Sequence, residues 1–178
     1  MTTRFKTLAA VAAASLLMSG YAMADKHQPY EGFHKYAAAA AQVKISPAQA
    51  IAAAQKQAPG TATDLQLKGR YGTPVYKVEI RQSNQEHTVH VDAVTGNILG
   101  VRTEHEWKPA RPVGIGLAQA IQTAQNAVKG SVLEADLDSK RGMLFYKVEI
   151  LAANNVQYKV IVDANNGKVL ESYVDYDD

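Results

Sequence analysis

Two segments of this 178-residue chain repeat each other closely enough to limit the folds that it can adopt. Residues 76–80 read Tyr-Lys-Val-Glu-Ile, and the same five residues recur at 146–150. The flanking segments correspond in the same order: 45–51 with 115–121, and, after a one-residue insertion in a polar loop, 89–96 with 160–167. Self-similarity of this kind is typical of tandem copies of one supersecondary unit. The chain is therefore predicted to fold as two related units of about sixty residues each.

Each copy opens with a helix signal, and the signal is clearest in the first copy. Ser46 is a favourable N-cap residue, Pro47 suits the first helical position, and Gln49 completes a Ser-x-x-Gln capping box. The pattern predicts a helix that begins at Pro47 and carries an alanine-rich apolar stripe, which lets it lie close to a sheet. Gly60 and Gly130 are predicted to end the two helices.

Alternating residues after each helix predict antiparallel β-strands. Tyr76, Val78 and Ile80 alternate with Lys77 and Glu79, so that apolar side chains lie on one face and charged side chains on the other. Four such strands are predicted in each copy, separated by short polar turns. The predicted fold class is α+β, with two tandem units that each pack one helix on a small antiparallel β-sheet. The sequence leaves open whether the two sheets stay separate or join.

An aspartate and a glycine recur in the hairpin turn before the last strand of each copy. Asp92 with Gly96, and Asp163 with Gly167, are interpreted as structural turn residues. A short carboxylate accepts backbone N–H bonds two residues on, and glycine tolerates the positive φ of such a loop. A calcium loop of the EF-hand type would need several further acidic ligands and a terminal glutamate.

The capped alanine-rich helix, the Tyr-x-Val-x-Ile strand and the Val-Asp-Ala-x-x-Gly hairpin together resemble the PepSY domain. The resemblance covers residues 45–104 and 115–174, and Val-Asp-Ala-Val-Thr-Gly at 91–96 is its most specific element; the second copy has Asn166 in place of the threonine. The resemblance implies a small α+β fold found in propeptides of secreted metallopeptidases and in many exported bacterial proteins. It further implies action by binding, with peptidase inhibition or regulation as the activity, and it brings no catalytic residues.

The N-terminus has the pattern of a secretory signal peptide. Arg4 and Lys6 precede an apolar run over residues 8–18, and a small-x-small cleavage site follows at 22–24. The apolar run is shorter than the roughly 20 residues that a membrane-spanning helix needs. The sequence has no cysteine, which excludes a disulfide and a lipid-attached cysteine. We expect cleavage after Ala24 and a periplasmic or secreted protein without a stable membrane anchor.

The predicted domain organisation follows from the leader and the repeat: a signal peptide at 1–24, an alanine-rich segment at 25–44, a first PepSY-like unit at 45–104, a linker at 105–114 and a second unit at 115–175. The alanine-rich segment is expected either to form a short helix that packs on the first unit or to stay mobile.

Charge and motif content exclude several classes of function. The leader holds two of the 19 Lys and Arg residues, which leaves 17 basic residues against 17 Asp and Glu without a dense basic patch, so nucleic acid is not an expected partner. No Gly-x-Ser-x-Gly turn and no glycine-rich phosphate loop occur in the sequence. Glu134, Asp136 and Asp138 alternate along a strand and are interpreted as a solvated face. We therefore expect a protein that is not an enzyme and needs no cofactor.

Positions at which the two copies differ are the candidates for binding. His87 and His90 lie on a predicted strand of the first copy, and Trp107 lies in the linker between charged residues and prolines. These three are named as tentative partner-binding residues, since tryptophan is enriched in binding hot spots. For Trp107 this binding role is the alternative: the linker is interpreted first as a semi-rigid connector in which Trp107 covers the contact between the two units.

A weak metal site is the alternative use of the histidines. His90 and Asp92 share a strand face, beside which Glu104 and Glu106 of the next strand are expected. The second copy has Ile161 where the first has His90, so such a site would belong to the first copy alone.

Two hypotheses of function remain. The first is a binding or regulatory protein whose partner is another exported protein, such as a peptidase. The second is an envelope accessory protein that binds a metal ion or a small ligand. Short hairpin units also expose strand edges, through which a dimer could form.

Overall fold

A computed structural model of the protein describes residues 31–70, 72–105 and 111–175. The predicted signal peptide, Glu106 and Trp107 lie outside these residues. The helices are α1 (Glu31–Ala40), α2 (Pro47–Gln57) and α3 (Leu117–Ala127). The strands of the first repeat are β1 (Thr61–Arg70), β2 (Thr73–Gln82), β3 (Gln85–Asp92) and β4 (Ile98–His105). Those of the second repeat are β5 (Gly130–Lys140), β6 (Met143–Ala152), β7 (Gln157–Asp163) and β8 (Val169–Val174).

The first repeated helix begins at Pro47, which confirms the prediction from the capping residues. Ser46 Oγ accepts a hydrogen bond from the backbone N–H of Gln49 at 3.2 Å, and Gln49 Oε1 accepts one from the Ser46 N–H at 2.8 Å. Helix α3 follows Gly116, which has no side chain to make this cap. Small residues of both helices are fully buried: Ala50, Ala54, Ala120 and Ala124.

Gly60 and Gly130 lie just beyond the helix ends, where the sequence predicts them, but the structure assigns them a further role. A Cβ atom at Gly60 would lie 2.6 Å from the carbonyl oxygen of Arg81, and one at Gly130 would collide with the carbonyl oxygen of Leu151. Both glycines therefore allow the chain leaving the helix to start a strand in close contact with its neighbour.

The eight strands form one continuous antiparallel sheet in the order β4-β3-β2-β1-β5-β6-β7-β8. The α+β class is therefore confirmed, but the small sheet predicted for each unit is one half of a single sheet, and the question left open by the sequence is answered: the units join where β1 pairs with β5. Three residue pairs make this joint, which we call the seam: Asp64 with Asp136, Leu65 with Ala135, and Gln66 with Glu134. Pairing β1 with β5 supplies hydrogen-bond partners to backbone groups that each unit alone would leave on a bare strand edge.

The repeated units are related by approximate twofold symmetry about the seam. Leu65 and Ala135 occupy equivalent positions of the two copies, and they lie directly opposite each other. A strand that pairs antiparallel with its own counterpart at an equivalent position has a twofold axis through that pair.

The sheet has a buried face and an uncovered face. Side chains of the central strands that alternate toward the helices are fully buried in one core cluster, among them Leu65, Val78, Val148 and Val160. The side chains between them point the other way, and we call this side the open face; it includes Lys77, Glu79, Lys147 and Glu149. Within the described residues, no helix is long and apolar enough to cross a bilayer.

Helix α1 packs across both repeats. Ala39 is 5% exposed and belongs to the shared core, with Tyr36, Ala37 and Ala40 packed against it. The helix contacts β1 and β2 of the first repeat and β5 of the second. Of the two expectations for this segment, a short helix that packs on the first unit is the one observed, and its contact with β5 adds the second unit.

The recurring aspartates and glycines shape the hairpin turns. Asp92 Oδ1 accepts backbone N–H bonds from Val94 at 2.8 Å and Thr95 at 2.9 Å, and these two bonds lower the pKa of Asp92. In the second copy, Asp163 Oδ1 accepts the Asn165 N–H at 2.7 Å. Gly96 and Gly167 have φ values of 79° and 76°, which lie in the left-handed region that favours glycine.

Candidate functional site

The open face is the part of the sheet that remains uncovered by α1, α2 and α3. Charged side chains follow each other across neighbouring strands of this face, and most of them are paired. Lys147 Nζ lies 3.1 Å from Asp136 Oδ1, and Lys77 pairs with Glu79. Salt bridges thus join several of the charges at the centre of the open face, whereas the outer parts of this face differ between the repeats.

Carboxylates meet at the centre of the open face because the seam aligns them. Asp64 lies directly opposite Asp136, an arrangement of like charges that destabilises a sheet when both are ionised. Asp64 Oδ1 is buried, and no described group donates a hydrogen bond to it. Burial first, and then the charge of Glu79, raise the pKa of Asp64 to about 7. Burial also raises the pKa of Asp136.

Neighbouring groups stabilise the remaining charges of this central part. Gln66 Nε2 donates a hydrogen bond to Glu134 Oε2 at 3.0 Å across the seam. Lys159 lies 3.5 Å from Glu149 and 3.0 Å from Asp175. The interpretation of Glu134 and Asp136 as a freely solvated face is therefore corrected, because both lie half-buried at the joint between the repeats.

A depression with an apolar side and a polar side lies on the open face of the second repeat, and we call it the trough. It has a volume of about 480 Å³. Its apolar lining comes from β6, β7 and β8: Met143, Phe145, Ile161, Leu170 and Tyr173. Its polar lining consists of Asp138, Ser139, Lys140, Lys147 and Glu171. Met143, Leu170 and Tyr173 are 46%, 42% and 41% exposed, and together they leave apolar surface open to solvent beside the polar lining.

The first repeat does not reproduce the apolar lining. At the equivalent positions it has Val75 for Phe145, His90 for Ile161 and Arg102 for Tyr173. The sequence indicates this difference at Ile161, but it does not show that residues from three separate strands come together. A position-by-position comparison of all eight strands would have identified Phe145 and Tyr173 as well.

His87 and His90 lie on opposite faces of β3. His87 Nδ1 and Thr103 Oγ1 are 2.8 Å apart on the side of the sheet that carries the helices. His90 lies on the open face, between Lys77 on β2 and Gly100 on β4. The two tentative partner-binding histidines therefore cannot contact the same partner surface.

The proposed metal ligands are also separated. Glu104 pairs with Glu86, four residues along β4 from the Gly100 that pairs with His90, or about 13 Å along a strand. The carboxylate of Asp92 is engaged by its own turn. In the part of the chain that the structure describes, no three His, Asp or Glu side chains are grouped to hold a metal ion.

Comparison with known proteins identifies the family of both repeats. The family model for PepSY, described as peptidase propeptide and YPEB domain, matches residues 44–102 and 114–173. The resemblance inferred from the helix, strand and hairpin motifs is thereby confirmed.

Similar proteins have also been found among curated sequences and solved structures. The uncharacterized protein YkoJ of Bacillus subtilis (strain 168) is 27% identical over 127 residues, which are 71% of this chain and 73% of YkoJ. A putative lipoprotein (CD1622) from Clostridium difficile 630 is 26% identical, with a TM-score of 0.47 over 75% of this chain and 95% of that one. The Bacillus megaterium YpeB C-terminal domain is 14% identical, with a TM-score of 0.32 over 76% of this chain and 69% of that one.

Proposed function

Because this chain belongs to the PepSY family, we propose that it is a non-enzymatic exported binding protein that regulates or inhibits an extracytoplasmic peptidase. The family description names peptidase propeptides, which makes a peptidase the first partner to test. The leader pattern at residues 1–24 supports a periplasmic or secreted location.

The trough is the observation that supports binding most directly. Apolar side chains of three strands meet on a sheet face that none of the described helices covers. Exposed apolar surface rimmed by polar residues is typical of protein interaction sites. The charges at the centre of the face are largely paired, so that binding energy would come from the trough rather than from the seam.

Peptidase assays with the purified mature chain test this proposal. The chain beginning at Asp25 is added to peptidases from the extracytoplasmic fraction of the source cells, and hydrolysis of a fluorogenic casein is followed. We expect a dose-dependent decrease in the rate and co-elution of the chain with one peptidase. Mass spectrometry should show the added chain intact, since an inhibitor differs in this respect from a competing substrate.

Variants locate the effect on the sheet. The double variant Ile161→His, Tyr173→Arg should weaken inhibition, because it replaces the trough residues with those of the first repeat. Lys56→Ala on the exposed side of α2 serves as the matched control and should leave inhibition unchanged. If every peptidase keeps its rate in the presence of a folded chain and no complex elutes, the proposal is wrong.

An accessory protein that binds a small ligand is the second candidate. The trough volume of about 480 Å³ lies in the range of small-molecule sites. The metal-binding form of this candidate has weaker support, because His90, Asp92 and Glu104 are not brought together. Calorimetric titration with zinc, copper and nickel, repeated on His90→Ala, would detect such binding.

A further inference from the structure

We propose that the second repeat binds an extended peptide segment, which pairs with the free edge of β8 and places an apolar side chain at the trough. This inference rests on the proposed binding function and names the chemistry of the partner segment. It is carried by three observations on the described residues: the edge of β8 that pairs with no other strand, the trough beside it, and the exposed carboxylate of Glu171 between them.

Strand β8 pairs with β7 on one side only among the described residues. The N–H of Asp175 donates to the carbonyl of Gln157 at 2.9 Å, which continues the register of Val174 with Tyr158. Hydrogen-bonded and non-hydrogen-bonded pairs alternate along an antiparallel ladder. The backbone groups of Ser172 and Val174 therefore point away from β7, toward an incoming strand.

The same alternation places the side chains of Glu171 and Tyr173 on the open face. Glu171 pairs with Ile161 and Tyr173 with Lys159, and both of these partners lie on that face. Residues of an added strand opposite Glu171 and Tyr173 would form the closer, non-hydrogen-bonded pairs. Their side chains would thus reach the trough, while residues between them would make the backbone bonds.

Charge selects the chemistry of the added strand. Glu171 is exposed, and no described residue forms an ion pair with it. A Lys or Arg directly opposite Glu171 would supply a favourable cross-strand pair. In a peptide that runs antiparallel to β8, the residue two positions before this Lys or Arg lies opposite Tyr173. An aromatic or aliphatic side chain there would contact Tyr173 and the apolar lining. The partner segment is therefore an extended peptide with an apolar residue and a basic residue at positions i and i+2.

A short synthetic peptide tests this inference without any peptidase. The probe is the acetylated and amidated pentapeptide Thr-Phe-Thr-Lys-Thr, titrated into the ¹⁵N-labelled mature chain and followed by amide chemical shifts. We expect shifts concentrated at Ser172, Val174 and the strands beneath the trough, with an affinity on the order of millimolar. Replacing Lys by Glu, or Phe by Ser, should weaken binding about fivefold.

Backbone methylation separates strand addition from simple filling of the trough. The N–H of the central Thr should donate to the β8 edge, so its N-methylation should abolish the shifts. N-methylation of the Phe, whose N–H should point away from β8, serves as the matched control and should be tolerated. Equal binding of both methylated peptides would overturn the inference in favour of a small apolar ligand site.

Variants of the chain provide the second arm of the test. Ile161→His and Tyr173→Arg should each weaken peptide binding about fivefold, and both should fold, because the first repeat carries these residues at the equivalent positions. Val101→Thr on the opposite free edge, β4, should leave binding unchanged. No shifts at millimolar peptide, or shifts at β4 instead, would contradict the inference. Peptide binding without any effect on peptidases would overturn only the proposed function.

Discussion

The surroundings of the Asp64 carboxylate in the fold differ from those that the sequence suggests. Its place in a polar and apolar alternation suggests an ordinary surface carboxylate. In the fold it lies opposite Asp136 of β5 and opposite Glu79 of β2. One of its carboxylate oxygens is buried without a described hydrogen-bond donor. The charge of Glu134 raises its pKa further, and that of Lys77 lowers it. The native state therefore holds the Asp64 proton more tightly than the unfolded chain does.

This shift predicts a stability that falls as the pH rises from about 4 to about 7. In this window the unfolded chain has already lost the Asp64 proton, whereas the folded chain still retains part of it, so deprotonation favours unfolding. Asp64 can contribute a slope of at most about 1.4 kcal/mol per pH unit. Raised pKa values of Asp136 and Glu149 act in the same direction.

Urea unfolding of Asp64→Asn between about pH 4.5 and 8 measures the contribution of this one group. The variant should show a flatter pH dependence and should be more stable than the parent at pH 8, because a poorly solvated charge has been removed. Asp138→Asn, two residues beyond Asp136 on β5, is the matched control and should keep the parental slope. An unchanged slope in Asp64→Asn would show that other groups cause the pH dependence.

At the scale of elements, α1 is the segment whose role the fold changes most. Among the described residues, no helix corresponds to it before α3, and it contacts strands on both sides of the seam. Three pairs of residues are a short connection between two four-stranded units, so that a helix laid across them adds buried apolar surface where the sheet is joined.

Ala39→Asp should therefore destabilise the protein by about 2 kcal/mol. The loss cannot exceed the free energy with which α1 docks on the sheet, because a detached helix exposes the carboxylate to water. Ala39 is 5% exposed, and a carboxylate there would be buried without a partner. Amide hydrogen exchange at Leu65 and Ala135 should also become faster. Ala38→Asp is the matched control on the exposed side of the helix; if it destabilised the chain equally, helix propensity rather than docking would be the cause.

At the scale of the whole molecule, the single sheet and shared core predict that the two repeats unfold together. Leu65 is fully buried at the seam, and Leu65→Ala should cost about 2–5 kcal/mol. Amides of β3 and β7, which lie in different repeats, should lose protection by the same amount. Leu99 lies on the edge strand β4 and is 55% exposed. Leu99→Ala should therefore change neither the free energy of unfolding nor the amide protection of β3 and β7. Loss of protection in β3 alone would mean that the repeats unfold independently.

The symmetry of the molecule also bears on its assembly. Each repeat contributes one free edge strand, β4 or β8, to the two ends of the sheet. A dimer through either edge stays a prediction, and the peptide inferred above would compete with a dimer that used β8.

The sequence by itself determined the parts of this protein that depend on near neighbours. The Ser46 cap and Gln49 predict the start of α2, the alternation around Tyr76 predicts the strands, and Asp92 with Gly96 predicts the turn. Caps, alternation and turns involve residues within a few positions of each other, so that their physical causes can be identified along the chain.

Only the tertiary structure decided which edges meet and what they bring together. The seam sets Asp64 opposite Asp136, although the two are 72 positions apart along a chain that contains no signal for this register. The trough likewise gathers Phe145, Ile161 and Tyr173 from three strands. Strand alternation specifies the face on which each side chain lies, but pairing between strands depends on the whole core, and therefore the candidate site emerges only in the folded chain.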